Sequence, residues 1–271
     1  MLKSLGETMI NNSEFPFHPG FTLIACVSLL LMLIFVYTRR RKIGSLAWFL
    51  FGVAWLFNIP HFISIADYYN TAIMIGAFVL FTLISLSIFK TKKLEVFIET
   101  TSFSALSIAV YFLFAFTPLG KILINLVAKQ SAFVGRLLGY DLYAVGNRIY
   151  MDGRHVTLIL ACTGIQSMAL FAGATLGIKA ELKRKIKAFL VSVPVIYFLN
   201  LLRDAFVTVS YAESWFGENS FYIAHNVISK VLATIALFAI AYTVFKILPE
   251  LEELIWSLID ELRNTVKGGG K

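Results

Sequence analysis

Cys162 stands in the stretch Leu160-Ala161-Cys162-Thr163-Gly164-Ile165-Gln166-Ser167-Met168, where small and polar residues open a long apolar run. A thiol at the first turn of a helix meets unpaired N–H groups and partial positive charge, and both favour the nucleophilic thiolate. Thr163 and Gly164 keep that turn polar and open. Gln166, four residues on, shares the cysteine's face on a continuous helix. With Ser167 it can orient the thiol or a bound carbonyl, or merely a neighbouring helix. The other cysteine, Cys26, lies inside an apolar run and reads as a small buried hydrophobe.

Arg203 is the second group of interest. An arginine inside a spanning helix costs roughly 2.5–3.5 kcal/mol on insertion scales, so it is rarely incidental unless it snorkels to the interface. Asn200, three residues earlier, shares its face and can hold the guanidinium. Asp204 points about 100° away and reads as a poor direct partner. A guanidinium at this depth can stabilise a thiolate or an oxyanion, an effect of roughly 3 kcal/mol on a barrier. His225, followed by Asn226, opens the last apolar run. Arg203 and a positive helix end keep its imidazole neutral, as a general base requires. His155 and Asp152 are its main rivals, His61 a weaker one, and His18 reads as solvated. No ligand spacing of Cys and His suggests a metal, and neither a phosphate loop nor Gly-x-Ser-x-Gly occurs, so no cofactor is expected.

The elements that must position these residues are membrane helices. Of 271 residues, 58% are hydrophobic and 15% charged. Mean hydropathy is +0.78. That excludes a soluble domain and predicts an all-α polytopic membrane protein. Apolar runs near 21–37, 46–65, 71–89, 101–117, 162–178, 188–208 and 226–247 predict about seven transmembrane helices. The net charge of +8 sits in short clusters beside these runs, a pattern that argues against nucleic acid as a partner. Arg39–Lys42, Lys90–Lys93 and Lys179–Lys187 alternate with poorly basic segments, namely the N-terminal tail, the Asp67 turn and the Glu213/Glu218 loop. Loop 118–161 is basic yet is assigned outside, being long, and long loops obey the charge rule poorly. The positive-inside rule then places the N-terminus outside and the C-terminus in the cytosol. Cys162, Arg203 and His225 all arrive at the outer face.

Loop 118–161 carries Lys121, Asn125, Lys129 and Arg136 at helical spacing among apolar residues, which predicts an amphipathic helix, interfacial or packed on the bundle. Asp152-Gly153 between alternating segments predicts a short hairpin. Gly173 and Gly177 form a small-xxx-small pair and read as structural. Residues 1–247 form the transmembrane domain. Residues 248–271 form a cytosolic amphipathic helix and tail, with a packing or partner role preferred, and the Gly268–Lys271 end carries no fold signal. Neither an internal repeat nor a cleavable signal peptide is expected.

Three segments together resemble the exosortase/archaeosortase family of membrane cysteine transpeptidases. Ala161-Cys162-Thr163-Gly164-Ile165-Gln166-Ser167-Met168 resembles its nucleophile segment, Asn200-Leu201-Leu202-Arg203-Asp204 its arginine segment, and Ala224-His225-Asn226-Val227-Ile228 its third position. The resemblance covers roughly residues 141–235. Exosortases use histidine third, whereas some archaeosortases carry a second arginine. This chain has no arginine between Arg203 and Arg263, so the resemblance implies His225. It also implies the partners: surface proteins ending in a short motif, a transmembrane helix and a basic cluster, with a membrane lipid as acceptor. Cleavage at the outer face would pass through a thioester on Cys162, and the new C-terminus would go to the lipid. The alternatives are a transporter or channel whose buried Arg203 binds an anion, and a lipid-modifying enzyme without peptide substrates.

Overall fold

The computed structural model describes residues 18–268. The N-terminal tail assigned to the outside and the end of the Gly-rich C-terminus lie outside the described residues. Helix α1 (Pro19–Thr38) starts where a proline fits best, since its missing N–H is unpaired in a first turn anyway. His18 caps it by accepting from the Gly20 amide at 3.1 Å. Its own amide donates to Asn58 Oδ1 at 3.0 Å, and its ring stacks on Phe57. His18 is exposed, as its reading as solvated requires, and it also caps the helix. Next come α2 (Arg41–Leu56) and α3 (Ile59–Ser64), broken from each other just before Pro60, whose ring disfavours a continuous helix. Helix α4 (Tyr68–Lys90) is capped by Asp67, which accepts from the Asn70 amide at 3.0 Å. Helix α5 (Leu94–Ala115) follows it.

Helix α6 (Leu119–Leu137) is the helix expected in loop 118–161. It packs through a small-residue stripe, Val127, Ala128, Ser131, Ala132 and Gly135, and leaves Ile122, Leu126, Phe133 and Leu137 exposed. The expected hairpin is a three-stranded antiparallel sheet of β1 (Tyr143–Val145), β2 (Arg148–Met151) and β3 (Arg154–Thr157). Asp152 and Gly153 both hold positive φ, 48° and 73°, the signature of a type I′ turn. The extra strand pairs Val145 with Arg148 around Gly146, which also has positive φ. Three residues are too short for alternation to reveal a strand in sequence. Leu142, Ile149, Met151 and Val156 pack the sheet between α6 and the long helix that follows.

After a 3₁₀ turn (Leu160–Thr163) come α7 (Ile165–Leu176), α8 (Leu182–Ala212) and α9 (Ser229–Ile247). A helical turn Ser220–Tyr222 and a π-helical segment Ile223–Ile228 lead into α9. Amphipathic α10 (Pro249–Val266) closes the chain. Among the described residues, six helical stretches are long and apolar enough to cross a membrane. The seventh apolar run yields only α7, whose 12 residues reach about 18 Å against a ~30 Å hydrocarbon core. Helix α8, at 31 residues, extends about 46 Å and so projects beyond the core.

The loops carrying Arg39 and Lys179 meet at one end of the bundle. Arg39 and Lys179 both reach Glu95, at 2.5 and 2.8 Å, and Lys179 also meets Glu99 at 3.3 Å. Helix α10 docks there. Leu251 and Leu254 are buried, Glu261 accepts from Thr91 at 2.6 Å, and Glu250 pairs with Arg184, whose guanidinium holds its carboxyl below the usual range. Helix α10 packs on the bundle through these contacts.

The α5–α7 contact is the closest helix pairing around the cysteine turn. A Cβ on Gly173 would lie 2.5 Å from the Phe103 carbonyl and 2.7 Å from the Ser107 amide, and one on Gly177 2.5 Å from Phe103 Cα. These obstacles are backbone and cannot swing aside, so the pair is structural, as its spacing suggests. Gly173→Val is expected to force the helices apart and destabilise the protein by about 1–3 kcal/mol. The readout is the thermal midpoint in detergent, which Val at exposed Gly76, where the same Cβ meets open space, leaves unchanged.

Candidate active site

The cysteine is not in the first turn of a helix. It lies in the 3₁₀ turn, two residues before Gly164, the N-cap of α7. Gly164 breaks the two elements apart with φ of 73°, a conformation that penalises side chains. Gln166 therefore does not share the cysteine's face. It is exposed. Thr163 is buried and serves the turn itself: its hydroxyl donates to the Leu160 carbonyl at 2.7 Å and accepts from the Ile165 amide at 3.3 Å. Ser167 is half-buried in the first turn of α7. The half-buried thiol packs against the apolar cluster shared by α6, the sheet and α8.

Asn200 on α8 joins the cysteine turn to the arginine. Its Nδ2 donates to the Cys162 carbonyl at 2.5 Å and to Asp204 Oδ2 at 3.3 Å, while its Oδ1 accepts from Arg203 Nη1 at 3.3 Å. Gly164 matters here a second time, because a Cβ on it would come within 3.3 Å of Asn200 Cγ. Arg203 Nη1 lies 3.9 Å from Asp204 Oδ1, too far for a hydrogen bond, in keeping with the angular offset of neighbours on a helix. Asp204 is nevertheless part of the site through Asn200, and it is 4% exposed. A buried carboxylate next to a guanidinium offsets its charge, which spares the bundle an isolated ion. Sequence spacing missed this role because it weighed only the direct contact. The i, i+4 spacing of Asn200 and Asp204 was the available signal.

Arg203 Nη2 reaches His225 Nδ1 at 3.3 Å. A guanidinium is always a donor, so Nδ1 is the acceptor and the ring proton sits on Nε2. The imidazole is neutral in this arrangement. His225 and the half-buried Asn226 lie in the π-helical segment, a wider turn often found at functional sites. Phe221 stacks on the imidazole with centroids 5.3 Å apart and planes 9° from parallel. Cys162, Arg203 and His225, from three separate segments, thus belong to one hydrogen-bonded cluster. The rivals lie elsewhere: Asp152 forms the sheet's turn, exposed His155 packs on Tyr150, and His61 sits in α3 against Phe62. A groove of about 340 Å³ lies along Leu202, Ala205, Phe206 and Val209 of α8, the face turned away from Asn200 and Asp204. Among the described residues, no cluster of three or more His, Cys, Asp or Glu could hold a metal ion.

The family model for transmembrane exosortases (EpsH) matches residues 18–242, which takes in five of the six spanning stretches entirely and all three site segments. The chain belongs to the transmembrane exosortase family. This exosortase is also 31% identical to archaeosortase A of Haloferax volcanii, over 79% of this chain and 83% of that one. It is 24% identical to archaeosortase A of Natronomonas pharaonis, over 81% and 79% of the two chains. No solved structure matches it. Family membership and the apolar helices agree that it is a multi-pass membrane protein.

Asn200→Ala in this exosortase leaves the Cys162 carbonyl and buried Asp204 without their donor. Loss of a buried partner of this kind costs about 1–3 kcal/mol. A drop in thermal midpoint in detergent is expected, larger than for Gln166→Ala, whose side chain is exposed. Equal midpoints for the two variants would mean that the amide does not hold the cluster together.

Proposed function

We propose that this exosortase is a cysteine transpeptidase that removes the C-terminal sorting signal of surface proteins. The observation that carries the reading is the cluster itself: one amide, Asn200, links the cysteine turn to an arginine that in turn reaches a histidine. The names of the two archaeosortase relatives support it. The substrates are surface proteins with a short motif, a transmembrane helix and a basic cluster at the C-terminus. The cluster faces the outside. This orientation is supported by the gathering of Arg39 and Lys179 on Glu95 at the opposite end, because basic loops mark the cytosolic side.

In the mechanism, Cys162 Sγ attacks the scissile carbonyl and forms a tetrahedral oxyanion. Collapse breaks the C–N bond, leaves a thioester and releases the helix with its new amine, which takes the proton that His225 removed from the thiol. The resting contact of His225 constrains the proton path. His225 accepts from Arg203 at Nδ1, so it can take the thiol proton there only when Arg203 lets go. The guanidinium so released is free to stabilise the thiolate or the oxyanion. A lipid amine or hydroxyl then attacks the thioester, regenerates the thiol and anchors the surface protein to the membrane.

Anion transport is disfavoured by the same geometry. The Arg203 fork is engaged by Asn200 and His225, and Asp204 would repel an anion. Cys162→Ala is expected to abolish removal of the C-terminal helix from a co-expressed surface protein, read by mass spectrometry, with the enzyme still folded. Arg203→Lys, which loses the fork, is expected to slow it by roughly a hundredfold. A transporter predicts the reverse, a harmless Cys162→Ser. Helix removal that continues in the Cys162→Ala variant would sink the transpeptidase reading. An acyl adduct trapped on Cys162 would establish the thioester.

A further inference from the structure

Beyond the hydrogen-bonded cluster, four side chains form an unbroken train of flat groups that ends on His225. The Arg154 guanidinium, at the start of β3, lies over the Tyr211 ring, 5.5 Å from its centroid. Its Nη1 also clamps the end of α8, donating to the Tyr211 carbonyl and the Ser214 hydroxyl at 2.7 Å each. Tyr211 meets Phe221 edge-on, with centroids 5.8 Å apart and planes at 77°. Phe221 lies flat on His225 at 5.3 Å and 9°. Cation over ring, ring edge to ring face, and ring on ring are each favoured by the aromatic quadrupole.

The imidazole needs such support. Its terminal torsion is broad, so the ring plane is soft unless something holds it. The Arg203 contact, at 3.3 Å, is long and fixes one atom rather than a plane. We propose that the outer sheet sets the plane of the His225 ring through this train. Arg154 fixes Tyr211, Tyr211 fixes Phe221, and Phe221 holds the imidazole so that Nδ1 faces Arg203. These three are positioning residues. The inference deepens the function proposed above and rests on His225 belonging to that site.

The probe is a co-expressed surface protein ending in a motif, a transmembrane helix and a basic cluster, with helix removal followed by pulse-chase. Phe221→Leu keeps apolar bulk but loses the flat face, and it is expected to slow removal by about two- to tenfold. Phe221→Tyr keeps the face and is expected to stay within about twofold of the unaltered enzyme. Arg154→Ala is expected to slow removal in the same range as Phe221→Leu. In a His225→Ala background, Phe221→Leu is expected to cause no further slowing, because a residue that acts through His225 has nothing left to position. If His225→Ala leaves no measurable rate, NMR of the ring nitrogens decides instead. Phe221→Leu is then expected to shift the His225 signals, and Phe221→Tyr to leave them in place.

Equal slowing by Phe221→Leu with and without His225 overturns the inference. So does Phe221→Tyr behaving like Phe221→Leu, or ring-nitrogen signals unmoved by Phe221→Leu. If His225→Ala leaves the rate unchanged, the role of His225 itself fails, an outcome distinguishable from the others.

Discussion

The Asn200 amide is the constraint on which the cysteine end of this exosortase depends. A single side chain donates to the Cys162 carbonyl and to Asp204, and accepts from Arg203. The amide is neutral, so it can stand between a buried acid and a guanidinium without adding charge to be desolvated. It also reaches a main-chain atom of the cysteine turn. The turn's position is therefore tied to α8 directly and does not wait on side-chain packing. Gly164 follows as a requirement, because any larger residue there would crowd the amide.

Much of the surrounding architecture brings the cysteine turn within reach of α8. Helix α7 is too short to span, so Cys162 is delivered by the sheet and not by the end of a full transmembrane helix. The sheet is held between the small-residue stripe of α6 and the apolar face of α8, with Ile149 and Leu142 fully buried. The length of α8 completes the arrangement. At 31 residues it carries Tyr211 past the level of Arg203, where β3 can engage it through Arg154.

Charge is segregated along the bundle. One end holds the lysines and arginines of three loops, bridged by Glu95, Glu99 and Glu250 and covered by α10. These pairs are largely exposed and contribute little stability individually. Their value is organisational, because they draw loops that are distant in sequence to one side of the membrane. The other end holds the buried polar cluster, where the cost of desolvation is met by hydrogen bonds and by the pairing of Arg203 with Asp204. A similar segregation separates lipid-facing side chains such as Leu30 and Phe238, exposed in the chain alone, from the small residues that let helices approach.

Hydropathy and charge alone were enough to reveal the membrane architecture, the helix in loop 118–161, the Asp152-Gly153 turn and the docking helix at the C-terminus. Each depends on local periodicity or on a property averaged over a run of residues. The segments carrying Cys162, Arg203 and His225 were legible for the same reason, since each is a polar interruption in an apolar context. Helical spacing failed where the backbone left the regular helix. The positive φ of Gly164 removed Gln166 from the cysteine's face, and the π-helical segment changed the spacing around His225. Tertiary structure alone decided that Asn200 joins Cys162 to Arg203, that Asp204 enters the cluster, that His225 accepts from Arg203 and that Phe221 lies against the imidazole. These contacts join residues up to 38 positions apart, and their geometry depends on how α7, α8 and the sheet pack in three dimensions, which no single-helix periodicity encodes.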